Sequence, residues 1–201
     1  MADEEPTLEQ LAEMAAANQE QEPKLEYKAP AKKSLQEIQA QDAEDESLNR
    51  YKKALLGQSA VRTDANVPNV QLTRLTLECA DAPECMSIDL TGKLEDLKPW
   101  VVKEKAEYKL KFSFIVNKEI VSGLKYIQET KRKSIQVDKT EYMVGSYSPR
   151  PDEYHFSTNL EEAPCGVLSR GNYEVKSKFT DDDKHDYLSF KWNISIKKDW
   201  K

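Results

Sequence analysis

The chain has 201 residues with 30 basic and 36 acidic side chains, a net charge of −6. That is one ordinary domain with something left over. The charge is uneven: residues 1–57 hold 13 acids and 7 bases, leaving 23 of each in 58–201. The body is therefore neutral overall, which argues against a nucleic-acid binder by bulk charge. Three cysteines without a CxxC pair, and two histidines far apart, argue against a structural zinc site or a disulfide framework. The acidic start Met1-Ala2-Asp3-Glu4-Glu5 does not read as a signal peptide, and no apolar run is as long as a membrane span. A cytoplasmic, reduced protein is expected.

In chain order, residues 1–30 are rich in Glu, Gln, Ala and Pro and carry little to bury, so disorder is expected, with transient helix near Thr7–Asn18. Two short helices follow. Ser34 can cap one near 34–41 with Leu35 and Ile38 on a stripe and Glu37 placed as in a capping box. Asp45 or Ser47 can cap another near 46–56, with Leu48, Tyr51, Leu55 and Leu56 on one face and Gly57 as its stop. Helices this short are marginal in water, so their apolar stripes need a partner surface. The pair reads as an element that folds on binding.

Beyond Pro68 the period changes to two. Val70–Cys79 is β-rich, and Met86, Ile88 and Leu90 alternate up to a Thr-Gly turn. Tyr108, Leu110, Phe112, Phe114 and Val116 alternate without a break. Leu124, Tyr126 and Gln128 continue, then Ile135 and Val137, Tyr154 and Phe156, and Tyr173 through Phe179. The last strand, Leu188 to Ile196, puts large apolar residues on every even position, Phe190 and Trp192 among them. Eight or nine such strands without a long helix predict an immunoglobulin-like antiparallel β-sandwich at 67–201, behind a flexible acidic arm at 1–66. The bulky face of the last strand either fills the core or walls a cavity. By pattern alone, core is the simpler reading.

Catalytic chemistry finds little support. Asp183 and His185 could be joined to a serine on paper, but both histidines lie in polar, turn-like sequence and no phosphate-binding glycine loop exists. Asp181-Asp182-Asp183 lacks the spaced ligands and glycine of a calcium loop, and reads as a solvated hairpin turn or a docking point for a basic partner. The expectation is a protein that is not an enzyme and needs no cofactor or metal.

Specific strings go further. Tyr27-Lys28, Lys33-Ser34-Leu35-Gln36-Glu37, Asp45-Glu46-Ser47-Leu48 and Tyr51-Lys52-Lys53-Ala54-Leu55-Leu56-Gly57 mark the arm. Asn66-Val67-Pro68-Asn69-Val70, Asp89-Leu90-Thr91-Gly92, Ile120-Val121-Ser122-Gly123, Tyr142-Met143-Val144-Gly145-Ser146-Tyr147, Glu161-Glu162-Ala163-Pro164 and Phe179-Thr180-Asp181-Asp182-Asp183-Lys184 mark the sandwich. Together, and in this order, they make a chain that resembles the Rho GDP-dissociation inhibitors over nearly its whole length.

The resemblance implies a partner: a prenylated, GDP-bound GTPase of the Rho, Rac or Cdc type, bound one to one by a monomer. The lipid ligand is a geranylgeranyl group drawn from the membrane, with no stable membrane insertion of the inhibitor itself. The implied lipid pocket is Leu75, Leu77, Trp100, Tyr108, Leu124, Ile127, Tyr142, Val175, Phe190 and Trp192. The implied contacts to the GTPase switches are Ile38, Asp45, Ser47, Tyr51, Leu55, Leu56 and Asp183. Glu161 and Glu162 would meet the GTPase's polybasic tail, and Ser34 would be a phosphorylation site. The rival implied by fold is a general prenyl-protein carrier of the delta-subunit type, or an interaction domain with a filled core. Three departures stand out: Phe190-Lys191-Trp192 replaces the family's usual Trp-Glu-Trp, the segment Leu97-Lys98-Pro99-Trp100 is shorter than in familiar members and lacks a serine, and Asn172 replaces another serine.

Overall fold

The computed structural model describes residues 7, 9–10, 37, 40–41, 44–50, 67–94 and 97–200. Within them the chain forms ten strands: β1 Val70–Cys79, β2 Met86–Asp89, β3 Trp100–Lys103, β4 Glu107–Val116, β5 Val121–Arg132, β6 Ile135–Tyr147, β7 Tyr154–Ser157, β8 Glu161–Glu162, β9 Gly171–Thr180 and β10 Asp186–Lys197. They make two five-stranded sheets. One runs β2-β1-β4-β7 with β8 also paired to β4, and the other runs β3-β10-β9-β5-β6. All pairs are antiparallel except β3 on β10. The expected immunoglobulin-like β-sandwich is present. Strands β3 and β8 are the two that alternation misses, being only four and two residues long.

Side-chain alternation sets the core. On β4 the even residues Leu110, Phe112, Phe114 and Val116 are buried, and on β10 Phe190, Trp192, Ile194 and Ile196. On β1 the buried parity switches from Val70 and Leu72 to Leu75 and Leu77, because a register shift lies between Leu72 and Arg74. A second irregularity brackets Gly123 on β5, whose φ of 62° suits glycine, and whose N–H donates to Ser146 Oγ at 3.1 Å. It resets β5 so that Leu124, Tyr126 and Gln128 face inward.

The entry to the sandwich is tied down by polar side chains. Asn69 Oδ1 accepts from the backbone of Lys118 and Glu119 at 3.0 and 2.7 Å, and Asn117 Nδ2 donates to Pro68 O at 2.9 Å. The β9–β10 turn lies at this same end, since Asp182 N donates to Ser122 O. Asp181 departs from the solvated turn that the sequence predicts: it is 4% exposed. Its oxygens accept from Tyr187 Oη at 2.6 Å and from the His185 backbone N–H at 2.9 Å. His155 departs as well. It lies within β7, with Nδ1 3.0 Å from Ser113 Oγ on β4, and ties two strands together.

Few residues before 67 are described. Residues 46–50 are helical, and Asp45, not Ser47, caps them: its Oδ1 accepts from Ser47 N at 2.9 Å and Leu48 N at 3.0 Å. Arg50 reaches back to Glu46 at 3.0 Å, one turn away. Gln41 N donates to Glu37 O at 3.0 Å, a helical bond within the first expected helix. Thr7 and Gln10 exchange side-chain-to-backbone bonds in the pattern of a capping box. Ser34, Ile38, Tyr51, Leu55 and Leu56 lie outside the described residues, as does most of the stretch expected to be disordered.

Candidate functional site: a cavity at one end of the sandwich

The two sheets are packed solid at one end and hollow at the other, and the side chains dictate this. β5 and β9 pair with Tyr126 opposite Phe179, Gln128 opposite Ser177, and Thr130 opposite Val175. Both strands therefore step from a large aromatic ring to a small side chain in the same direction. At the large end Phe112 packs against Tyr126 and Phe179 at centroid distances of 4.4 and 4.9 Å. Phe114 extends this packing against Tyr147 and Tyr154. At the small end the facing sheet is not met, and a cavity of about 580 Å³ remains.

Its floor is the second sheet: Trp192, Ile194 and Ile196 of β10, Tyr173 and Val175 of β9, Gln128 and Thr130 of β5, and Val137, Asp138, Thr140 and Tyr142 of β6. Its roof is Tyr108 and Leu110 of β4 with Asn159, Glu161, Glu162 and Pro164 in and around β8. The deep wall is apolar. The lip carries three carboxylates, on Asp138, Glu161 and Glu162.

A buried polar chain fixes the inner wall. Trp192 Nε1 donates to Ser177 Oγ at 2.9 Å, Ser177 and Tyr126 hydroxyls lie 2.9 Å apart, and Tyr126 Oη donates to Gln128 Oε1 at 2.9 Å. Burial pushes the Tyr126 phenol well above its usual range, so it remains a donor. Trp100 packs behind Trp192 at 4.8 Å between centroids. Tyr173 is held by its hydroxyl, which donates to Ser169 O at 2.5 Å and accepts from Arg132 Nη1 at 3.2 Å.

At the lip, Glu161 accepts from Tyr108 Oη at 3.2 Å through Oε2 and from Tyr142 Oη through Oε1. Burial, reinforced by the Glu161 charge and hydrogen bond, drives both phenols far above the usual range.

Of the ten expected pocket residues, Tyr108, Tyr142, Val175 and Trp192 line the cavity. Leu75, Leu77, Trp100, Leu124 and Phe190 are buried but do not line it. Phe190 pairs with Ser177, nearer the packed end, and Trp100 sits behind Trp192. Ile127 is misplaced by one residue: with Tyr126 and Gln128 facing in, Ile127 points to the opposite face of β5. Glu161 and Glu162 both belong to the lip. Asp183 is exposed in the β9–β10 turn, at the opposite end of the sandwich. Sequence reading missed the other lining residues, among them Tyr173, Ile194 and Ile196, whose alternation it had followed without placing them in a pocket, and Gln128, Thr130, Asp138 and Thr140. The signal of the last four was available, as small or polar residues on β5 and β6 where a filled core wants apolar ones.

Asp181, Asp183 and His185 bring potential ligand atoms within 4.8 Å of one another. Both Asp181 oxygens already accept from protein donors, which accounts for this cluster without an ion. No helix among the described residues is long and apolar enough to cross a membrane.

Fold and site together define an antiparallel β-sandwich with an internal, mostly apolar binding cavity and an acidic lip. The family model "RHO protein GDP dissociation inhibitor" matches residues 12–199. Rho GDP-dissociation inhibitor 1 of Rattus norvegicus and of Homo sapiens are each 60% identical over 203 residues, covering all of both chains. Rho GDP-dissociation inhibitor 3 of Bos taurus is 54% identical over 177 residues, 87% of this chain and 79% of that one. Among solved structures, a Niemann-Pick type C2 protein from Japanese carpenter ant aligns with a TM-score of 0.44 at 7% identity, over 67% of this chain and 97% of the other. The chain belongs to the Rho GDP-dissociation inhibitor family.

Proposed function

We propose that the chain carries out the activity of its family, Rho GDP-dissociation inhibition, through two grips at opposite ends of the sandwich. One grip is the cavity, which sheaths a geranylgeranyl chain. A C20 hydrocarbon buries many carbons at ~0.8 kcal/mol each, enough to compete with a bilayer for a singly lipidated protein. The acidic lip, with Glu161 and Glu162, then faces the basic residues that precede the lipid. Glu162, exposed there, steers the approach more than it stabilises the complex.

The second grip is the arm at 1–66 with Asp183. Asp45, Ser47, Ile38, Tyr51, Leu55 and Leu56 dock on the GTPase switches. Immobilising the switches and the magnesium environment of the nucleotide slows GDP release. Asp183 lies at the same end of the sandwich as Pro68 and Asn69, away from the cavity. The cavity lies at the far end, so a lipid tail has to run the length of the sandwich to reach it. The protein acts by binding rather than by catalysis, as a cytoplasmic monomer in a one-to-one complex with a GDP-bound GTPase of the Rho, Rac or Cdc type.

The observation that carries this reading is the cavity of about 580 Å³, in a chain 60% identical over its full length to inhibitor 1 of rat. A filled interaction domain has no such space. The arm disfavours the general prenyl carrier, which needs no switch-docking helices.

The test is extraction of a geranylgeranylated, GDP-loaded Rho GTPase from liposomes. The intact chain is expected to move it stoichiometrically into the soluble fraction. Thr130→Trp, which puts an indole into the cavity where the lipid would lie, should abolish extraction while leaving the circular dichroism unchanged. Extraction by the filled variant at the intact level would refute the lipid-sheath reading.

A further inference from the structure

Glu161 stands where the two sheets face each other across the cavity lip. Its neighbour Tyr108 is in register with it on β4, in the same sheet. Its other neighbour, Tyr142, belongs to edge strand β6 of the opposite sheet. One carboxylate, accepting from both phenols, thus closes a bridge from β8 to β6 over the rim. All three side chains line the cavity, and no ion pair among the described residues involves Glu161. A carboxylate satisfied by two neutral hydroxyls keeps a full negative charge, and a cation is the stronger partner for it. Asp138 and Glu162, also on the lip, add to the field that draws a cation there.

We propose that Tyr108 and Tyr142 are competitors for Glu161: with the cavity empty the phenols hold the carboxylate across the rim, and a lipidated ligand takes it from them only with a cationic group next to its lipid. The proposal rests on the lipid-cavity reading above and adds a selectivity device to it. A neutral prenyl ligand has nothing with which to win the carboxylate and leaves the bridge as it stands. A basic ligand gains a charge-assisted contact but gives up two phenol bonds. The phenols therefore lower the affinity for basic ligands below what the acidic lip alone would give, and removing one restores it.

The test uses the full chain and two synthetic peptides ending in geranylgeranyl-cysteine methyl ester, one with a run of lysines before the cysteine and one with glutamines. Tyr142→Phe is expected to bind the lysine peptide about tenfold more tightly, the value of one hydrogen bond to a charged group. Affinity for the glutamine peptide should change less. In a Glu161→Ala background, Tyr142→Phe should no longer favour the lysine peptide over the glutamine one. Tyr108→Phe should act in the same direction. Unchanged or weaker binding of the lysine peptide by Tyr142→Phe would overturn the competition and make the phenols idle or supportive. Intact protein that binds neither peptide would remove the cavity reading itself, and this one with it.

Discussion

Trp192 donates its indole N–H to Ser177 Oγ at 2.9 Å, between neighbouring strands whose inward pairs beside it are Leu188 with Phe179 and Trp192 with Val175. Ser177 is fully buried, and its hydroxyl also meets Tyr126. The bond therefore fixes the plane of the ring that walls the cavity, and links it to the packed end of the core. Ser177→Ala would leave the indole N–H without its acceptor, at a cost of ~1–3 kcal/mol. The expected outcome is a lower urea midpoint with an unchanged m-value, and a shifted tryptophan emission. Ser177→Thr, which keeps the hydroxyl, should recover the emission.

The arrangement behind that bond shows how far the sequence could be read. Alternation alone located the inward faces of β4, β9 and β10, because a half-buried strand must repeat every two residues. It also placed Leu124, Tyr126 and Gln128 on the inward face of β5, past the irregularity around Gly123, whereas Ile127, implied for the pocket only by the resemblance, falls on the opposite face. The cavity was not legible as a cavity. It arises from Thr130 meeting Val175 where Tyr126 meets Phe179, a pairing between distant stretches that no local pattern contains. The same holds for Glu161, whose two phenol partners come from strands of both sheets, far from it in sequence. The strings that resemble a family supplied what periodicity could not, but they named residues rather than the wall each one builds.

A cap, unlike a cavity, is a local device, and Asp45 tests whether the arm's helix matters to binding. Asp45 Oδ1 satisfies two backbone donors of the first turn. Replacing such a cap by alanine costs ~1 kcal/mol. In a short helix that folds against a partner, this cost appears in affinity rather than in global stability. Asp45→Ala is expected to weaken binding of a GDP-loaded Rho GTPase by about fivefold, with the thermal midpoint of the sandwich unmoved. Asp45→Ser, which keeps a capping oxygen but not the carboxylate, should recover only the part of the loss that the cap carries. Full recovery would leave Asp45 as a cap alone, without the direct contact to the GTPase switches proposed above.

Arg132 is a buried cation with a supporting task. Its guanidinium donates to the carbonyls of Leu168 and Arg170 and to Tyr173 Oη, and stacks 5.2 Å from the Tyr173 ring. The planar fork reaches all three acceptors at once, which a lysine ammonium on a single stem does not reproduce. Arg132→Lys should lower stability by ~1–3 kcal/mol through unpaired carbonyls and loosen Tyr173, a wall of the cavity. Denaturant unfolding would register the first effect. Weaker binding of a geranylgeranyl peptide would register the second. A variant with reduced stability and intact lipid affinity would confine Arg132 to holding the 166–170 turn.

Asp181 gives the fold a defined sensitivity to acid. Burial works to raise its carboxyl, but Tyr187 Oη, the His185 backbone N–H and the His185 ring together hold it below the ordinary value of 3.8. Tyr187 is itself driven up by burial and by this carboxylate, so it stays a donor throughout the acid range. A carboxyl whose folded value lies below its unfolded one stabilises the fold fully above the unfolded value. That contribution disappears as the pH falls through the folded one. Asp181→Asn removes the charge at every pH. Its deficit relative to the intact chain should be present at pH 7 and pH 5 and shrink below about pH 4, where the native carboxyl also begins to protonate. Urea midpoints of both proteins at pH 7, 5 and 3 would measure it. A deficit as large at pH 3 as at pH 7 would mean that the shape of the side chain, not its charge, holds the β9–β10 turn.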